Sequence, residues 1–155
     1  MLTTLDQLVD MLKRLERPKG FILACGCFDV LTIGHVRHLQ AARQLGNFLC
    51  VLVTTDCYVG KGAGRPVFPE ADRMEVINAL KCVNAVLVNP HATAVEAIER
   101  LRPDIYVKGR EYKDHLTPAL AQEVETLLSV GGKLEFTDGE ESHTTDVLRR
   151  LGVCA

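Results

Sequence analysis

Thr32, Gly34 and His35 are the densest piece of chemistry in the chain. They close the string Gly26-Cys27-Phe28-Asp29-Val30-Leu31-Thr32-Ile33-Gly34-His35, which lies between an apolar run at 21–25 and a segment with helical character from about Gly34 to Leu45. A helix start carries unsatisfied backbone N–H groups and a partial positive charge, so it attracts phosphate. Gly34 lets the main chain come close to such a ligand. An imidazole at 35 adds a side-chain donor, and a hydroxyl at 32 can donate to the same oxygens. The chemistry this set supports is the binding of phosphate and the stabilisation of charge on it. A lone Gly-His pair would read as a capped turn with an incidental histidine; the full string favours the phosphate reading.

Basic side chains recur further along. Lys61 stands in Val59-Gly60-Lys61-Gly62-Ala63-Gly64-Arg65-Pro66. Three glycines around one lysine suggest a mobile lid that lays an ammonium over phosphates. The spacing is not that of a P-loop, and taken alone such a string is a flexible loop. Lys108 ends an apolar strand just before Gly109. A buried ammonium is costly unless it meets an anion, and the alternative is a side chain that snorkels to solvent. Tyr112, just beyond, can pack on a base or a sugar. Thr144 and Thr145 precede the last helix, where hydroxyls and free N–H groups make a second anion or base-edge site, or a simple N-cap.

These groups need a scaffold that gathers them, and the periodicities supply one. Leu5, Leu8, Val9, Leu12 and Leu15 repeat at helical spacing behind a Thr4/Gln7 capping box, and Arg17-Pro18-Lys19-Gly20 stops that helix. It forms a segment, 1–19, packed on the domain of 20–155 and carrying no chemistry. Strands are predicted at Phe21–Cys25, Phe48–Val53, Ala85–Val88, Ile105–Val107 and Lys133–Phe136. Helices are predicted at about Gly34–Leu45, Glu70–Leu80, Thr93–Leu101, Pro118–Ser129 and Thr144–Leu151. Alternating strands and helices predict a single α/β domain with a doubly wound, five-stranded parallel sheet. Ligands of such sheets sit beyond the carboxyl ends of the strands, where the residues singled out above fall.

Composition narrows the classes. The chain has 155 residues, 47% of them hydrophobic and 25% charged, which suits one folded domain with its own core. A formal net charge of −2 argues against nucleic acid or a membrane surface as partner. An anionic substrate must then be held by local basic clusters. The N-terminal segment lacks the basic start and unbroken apolar run of a secretory leader, and no apolar stretch is long enough to span a bilayer. Six cysteines, at 25, 27, 50, 57, 82 and 154, show neither C-x-x-C nor zinc spacing. Reduced thiols without metal, in a cytoplasmic protein, are the expectation.

Several separate motifs carry a resemblance. Gly26-Cys27-Phe28-Asp29 with Gly34-His35, Gly64-Arg65-Pro66-Val67 with Arg73-Met74, Pro103-Asp104 with Val107-Lys108-Gly109, Tyr112-Lys113, and Thr144-Thr145 stand in this order. The chain resembles the cytidylyltransferase-like nucleotidyltransferases, whose signature after the first strand is G-x-F-D-x-x-H-x-G-H. The likeness is greatest to the heptose 1-phosphate adenylyltransferases of ADP-heptose synthesis, with glycerol-3-phosphate cytidylyltransferase-like proteins beside them. It covers nearly the whole chain and implies a Rossmann-like fold. The implied reaction moves AMP from ATP to a sugar 1-phosphate. An acceptor phosphate oxygen attacks the α-phosphorus in line and pyrophosphate leaves, with no covalent intermediate.

The resemblance assigns His35, Lys61 and Thr32 to catalysis. Nucleotide contacts fall to Cys27, Phe28, Asp29, Gly34, Arg65, Arg73, Lys108, Gly109, Tyr112, Thr144 and Thr145. Arg73 has an ordinary surface ion pair as its alternative. Mg²⁺ is expected to travel with the phosphates rather than in a site of protein ligands, and a homodimer is expected. Asp29 is a poor base, because the acceptor phosphate is already ionised near neutral pH. The signature departs at Thr32, where the family has histidine. Phosphopantetheine adenylyltransferases resemble this chain in having T-x-G-H, so activity survives the change in principle. Relatives using CTP carry an arginine shortly before the Ser-Thr-Thr element; none lies between Lys133 and Arg149 here, which favours ATP. A cytidylyltransferase acting on glycerol 3-phosphate or another polyol phosphate is the near alternative. A catalytically weak nucleotide-binding protein is the alternative of another class.

Overall fold

The computed structural model describes residues 1–138 and 144–152, with only the main chain described at 144–146. Five strands, β1 (Phe21–Gly26), β2 (Phe48–Thr54), β3 (Ala85–Asn89), β4 (Ile105–Gly109) and β5 (Lys133–Thr137), form one parallel sheet in the order β3-β2-β1-β4-β5. The helices are α1 (Leu5–Arg14), α2 (Ile33–Arg43), α3 (Glu70–Asn78), α4 (Val95–Leu101), α5 (Pro118–Ser129) and α6 (Thr144–Arg150). Short 3₁₀ turns follow β2 at Asp56–Tyr58 and β4 at Arg110–Tyr112. The expected doubly wound sheet is thus found. No helix among the described residues is long and apolar enough to cross a membrane.

The central strands are almost wholly apolar because both their faces are covered, as parallel sheets require. Leu23, Cys50, Leu52, Leu87 and Tyr106 pack on one face with Leu8 of α1, Ile98 of α4, and Leu120 and Leu127 of α5. Ile22, Ala24, Val51, Val53 and Val107 pack on the other with Leu39 and Ala42 of α2 and Ile77 of α3. α1 begins at the expected capping box: Thr4 Oγ1 accepts from the Gln7 N–H at 3.2 Å, and Gln7 Oε1 accepts from the Thr4 N–H at 3.0 Å. The segment before it lies along the sheet edge, with Leu2 bridged in parallel to Val86 of β3.

Element ends differ from the sequence expectation by one or two residues. α4 starts at Val95 rather than Thr93, because the Asn89 side chain donates to the Thr93 carbonyl at 3.0 Å and keeps the preceding residues in a turn. α2 ends at Arg43, two residues before Leu45, and the chain turns there through Gly46. Each strand runs one or two residues further than its apolar pattern, since the parallel ladder continues into polar residues such as Thr54, Asn89 and Thr137.

The α2–β2 turn depends on two glycines in contact. Gly20 has φ +67°, and the Asn47 N–H donates to its carbonyl at 3.0 Å. A Cβ on Gly46 would stand 2.2 Å from that carbonyl oxygen. Both groups are main chain, so neither can move aside as a side-chain tip could. Gly46→Ala is expected to lower stability by about 1–3 kcal/mol, the range for forced overpacking, measured as a lower midpoint in urea with an unchanged slope.

Candidate active site

In the order β3-β2-β1-β4-β5 the chain runs outward one way from β1 and the other way from β4, so the switch point lies between them. Crevices at such points hold ligands in open α/β sheets. The Gly26-to-His35 string leaves β1 at this point. Thr32 is the N-cap of α2, Ile33 and Gly34 occupy its first two positions, and His35 stands third. The Thr32 N–H donates to His35 Nδ1 at 3.1 Å, and Thr32 Oγ1 lies 3.1 Å from the same nitrogen. Because Nδ1 accepts from a backbone N–H, the neutral ring carries its proton on Nε2. The ring also stands edge-on to Phe28, centroids 5.5 Å apart. Thr32 is buried and shares a reciprocal capping box with His35, so it shapes the helix start as well as facing it.

Asp29 ties this loop to the next. Its carboxylate accepts from Arg65 Nε, from the Val67 N–H at 2.6 Å and from the Phe68 N–H at 3.1 Å. The side chains of Asp29 and Arg65 are almost wholly buried. Burial alone pushes the carboxyl up; the Phe68 N–H, the Arg65 guanidinium and the Val67 N–H outweigh it and hold Asp29 below the usual carboxylate range. Arg65 Nη2 is buried and has no partner.

Arg73 forms a second tie. It is 2% exposed, so the surface ion pair weighed from sequence does not describe it. Its Nε donates to the Phe68 carbonyl at 3.0 Å, Nη1 to the Cys27 carbonyl at 2.5 Å and Nη2 to Asp56 at 2.6 Å. Each guanidinium nitrogen is thus engaged with the protein. The Glu70 carboxylate anchors the same region by accepting from the Asp56 N–H at 2.9 Å and from the Thr55 hydroxyl. Lys61 lies on an exposed loop with Gly62 and Gly64 at φ +94° and +75°, conformations that suit glycine.

On the other side of the switch point the ladder of β1 with β4 ends at Ala24 and Val107, and Cys25 next to it lies near Lys108. Lys108 Nζ is 3.6 Å from Glu123 Oε2 of α5 and lies over the rings of Tyr106 and Tyr112, at 4.9 and 5.3 Å from their centroids. At Gly109 a Cβ would meet the Glu111 carboxylate at 2.2 Å. Burial pushes the neighbouring Cys25 thiol up, with Lys108 opposing it only in part. Cys25, Cys27, Cys50, Cys57 and Cys82 are free thiols. α6 begins at Thr144, but the side chains of Thr144 and Thr145 lie outside the described residues, as does Cys154.

Two residues here were not singled out from sequence. His38 is one turn beyond His35, and its Nδ1 is 2.5 Å from Thr137 Oγ1 at the end of β5. Burial, aided by the charge of Lys108, lowers its pKa to about 4. The i, i+3 spacing from His35 was the available signal. Glu123 is buried on the inner face of α5 between Leu120 and Leu127, and a carboxylate at such a position requires partners.

The buried Asp29–Arg65 pair generates a pH-dependent expectation. A carboxyl held below its unfolded value stabilises the fold fully above about pH 4, and that contribution is lost as pH falls through the lower folded value. Asp29→Asn should cost about 3–5 kcal/mol at neutral pH, the cost of leaving one member of a buried pair alone. Its melting temperature should also fall less steeply than the wild type's below about pH 4. Parallel curves for the two proteins across that range would contradict the assignment.

Comparison with known proteins agrees with this architecture. The family model for cytidylyltransferase-like proteins matches residues 23–150. The chain is 44% identical over 135 residues to the bifunctional protein HldE of Streptomyces coelicolor, covering 83% of this chain and 28% of that protein. It is 39% identical over 145 residues to the bifunctional protein HldE of Methylococcus capsulatus, covering 92% of this chain and 30% of that protein. The chain therefore spans under a third of the length of these relatives. Among solved structures, a lipopolysaccharide core biosynthesis protein from Thermoplasma volcanium superposes with a TM-score of 0.67 at 24% identity, over 79% of this chain and 99% of that one. A pantoate-beta-alanine ligase from Francisella tularensis superposes with a TM-score of 0.59 at 10% identity, over 92% of this chain and 68% of that one. Both share the fold. With its family model covering most of the sheet and helices and its curated relatives well above 30% identity, the chain belongs to the cytidylyltransferase-like nucleotidyltransferases.

Proposed function

We propose that this nucleotidyltransferase moves AMP from ATP to a heptose 1-phosphate or a closely related sugar 1-phosphate, giving an ADP-sugar and pyrophosphate. The observation that carries the reading is the start of α2 at the switch point, where Thr32 caps the helix, Gly34 stands in its first turn, and the His35 ring, accepting at Nδ1, carries its donor on Nε2. The kinship with the HldE proteins supports the adenylyl and heptose parts of it. In this reading the triphosphate lies on the α2 N-terminus, with His35 Nε2 donating to the oxygens that gain charge as the α-phosphorus is attacked. Lys61, on its glycine-rich loop, covers the leaving pyrophosphate. Lys108 borders the nucleotide from β4, Tyr112 from the 3₁₀ turn that follows it, and Thr144 and Thr145 from the start of α6.

Asp29 and Arg73 serve by holding the loops that carry this site, because their polar atoms are committed to main chain and to each other's loops. Arg65 shares that work through Asp29 and keeps one unpartnered nitrogen, Nη2. Among the described residues no cluster of three acidic, histidine or cysteine side chains could enclose a metal. The donor set suits a magnesium ion carried on the phosphates, where it would neutralise charge on the leaving group.

The test is a pyrophosphate-release screen of ATP and CTP against sugar 1-phosphates and glycerol 3-phosphate; turnover with CTP and glycerol 3-phosphate alone would give the function to the cytidylyltransferase alternative. His35→Ala is expected to lower kcat/KM by about 10²–10³-fold, the scale of losing one oxyanion donor. Thr32→Val removes a hydroxyl that both faces the phosphates and caps α2. It should lower turnover by about 10- to 100-fold, the equivalent of a hydrogen bond to a charged group, and cost about 1 kcal/mol of stability as a lost cap. Thr32→His should be tolerated. If Thr32→Val matches wild type while Thr32→His creates activity that was absent, the protein is a nucleotide binder rather than an enzyme.

A further inference from the structure

Lys108 sits at the end of β4 with its side chain 11% exposed. Among the described residues the carboxylate paired with it is Glu123, and the geometry is unusual for an ion pair. Glu123 Oε1 accepts from the Ala94 N–H at 2.8 Å, at the start of α4. Its Oε2 accepts from the Tyr106 hydroxyl at 2.9 Å. Burial raises the Tyr106 phenol well above its usual value, so the hydroxyl stays protonated and remains the donor. Both carboxylate oxygens are thus already hydrogen-bonded when Lys108 approaches, and Nζ stops at 3.6 Å, beyond hydrogen-bond range.

The consequence is charge compensation without consumption of donors. A buried ammonium needs a nearby negative charge to keep its own. Glu123 provides that charge, yet takes none of the three N–H bonds. The faces of Tyr106 and Tyr112 cover two further directions by cation–π contact. Among the described residues Nζ makes no hydrogen bond, its ion pair being the 3.6 Å approach to Glu123. The Lys108 side chain is therefore caged beside the switch point with its N–H groups unspent.

We infer that Glu123 is a positioning residue of the active site: it acts through Lys108, fixing that ammonium at the end of β4 with its N–H groups left for an anionic oxygen of the bound nucleotide. This rests on the reading that a nucleotide occupies the switch-point crevice. Glu123 itself touches no substrate. It ties the layer of α4 and α5 to the mouth of the site, and the same tie seats Tyr112 against the ammonium.

The test combines a kinetic cycle with a measurement that needs no substrate. Glu123→Gln, Lys108→Met and the double variant are assayed for pyrophosphate release and for ATP affinity. Each single change should lower kcat/KM by about 10²-fold, the scale of a small misplacement of a binding group. Adding Glu123→Gln to Lys108→Met should then cost less than about three-fold, because residues acting as one unit are not additive. Losses that multiply would overturn the inference, as would a lowered melting temperature with unchanged kinetics in Glu123→Gln. In the ligand-free protein, acetylation of Lys108 is followed by mass spectrometry with exposed Lys133 as internal reference. Removing the counter-charge should speed labelling of Lys108 about ten-fold, because a nearby carboxylate favours the unreactive ammonium over the amine, and an unchanged rate would overturn the inference. If wild type turns over no acceptor, the proposed function fails while the labelling still decides the role of Glu123. Should Glu123→Gln not fold, Glu123→Asp withdraws the carboxylate by one methylene and is expected to shift both readouts in the same direction.

Discussion

The site depends on one buried carboxylate. Asp29 lies in the loop that leaves β1, and its oxygens hold three donors from the loop that precedes α3. Two irregular segments, separated by a whole helix and strand, are thereby locked to each other. Arg73 repeats the device from the other direction, reaching from α3 to carbonyls in both loops and to Asp56 after β2. Loops at the end of a sheet have few partners of their own, so they keep a defined shape only when buried polar groups are satisfied across them. Phe28, at φ +49°, is held in a sparsely populated conformation by this frame. Its ring covers Gly26 and meets His35, and so passes the constraint to the start of α2.

A different arrangement holds the opposite side. The apolar layer beneath α4 and α5 includes a polar knot of Glu123, Tyr106, Lys108 and the Ala94 N–H. Here the low dielectric works for the fold, since Glu123 accepts from the Ala94 N–H and the Tyr106 hydroxyl and lies beside the Lys108 ammonium without taking its N–H bonds. The two faces of the sheet therefore approach the switch point with different chemistry. The α2 side offers a helix N-terminus with a histidine, and the α5 side offers an ammonium under aromatic rings. His38, kept neutral by burial and by Lys108, joins α2 to the end of β5 at the same level.

The relation to longer proteins adds a constraint on surfaces. The HldE relatives extend well beyond the region matched here, and this chain covers 28% and 30% of them. The chain has a sheet covered on both faces and a core divided cleanly between two sets of helices. Its edge at β3 is met by the residues before α1.

Much of this was legible from residues in a row. The apolar runs at β1, β2 and β3 suit buried strands, short and with no solvent-facing alternation to interrupt them. The helical repeats between them required parallel crossovers, and the string from Gly26 to His35 marked a strand–turn–helix with donors at its head. All of these are local patterns, set by neighbours one to four positions apart. What only the tertiary structure decided involves partners far apart in sequence. Arg73 reads as a nucleotide contact, with a surface ion pair as the alternative, until folding buries it against Cys27 and Phe68. Asp29 reads as part of a nucleotide motif, yet its oxygens are spent on a loop 36 to 39 residues away. Glu123 looks like an ordinary helix glutamate, and Lys108 has no visible counter-charge before α5 is laid across the sheet. A sequence displays which side chains carry charge, but whether a charge faces a ligand, a backbone amide or another charge is settled by burial, and burial is a property of the packed sheet and helices together.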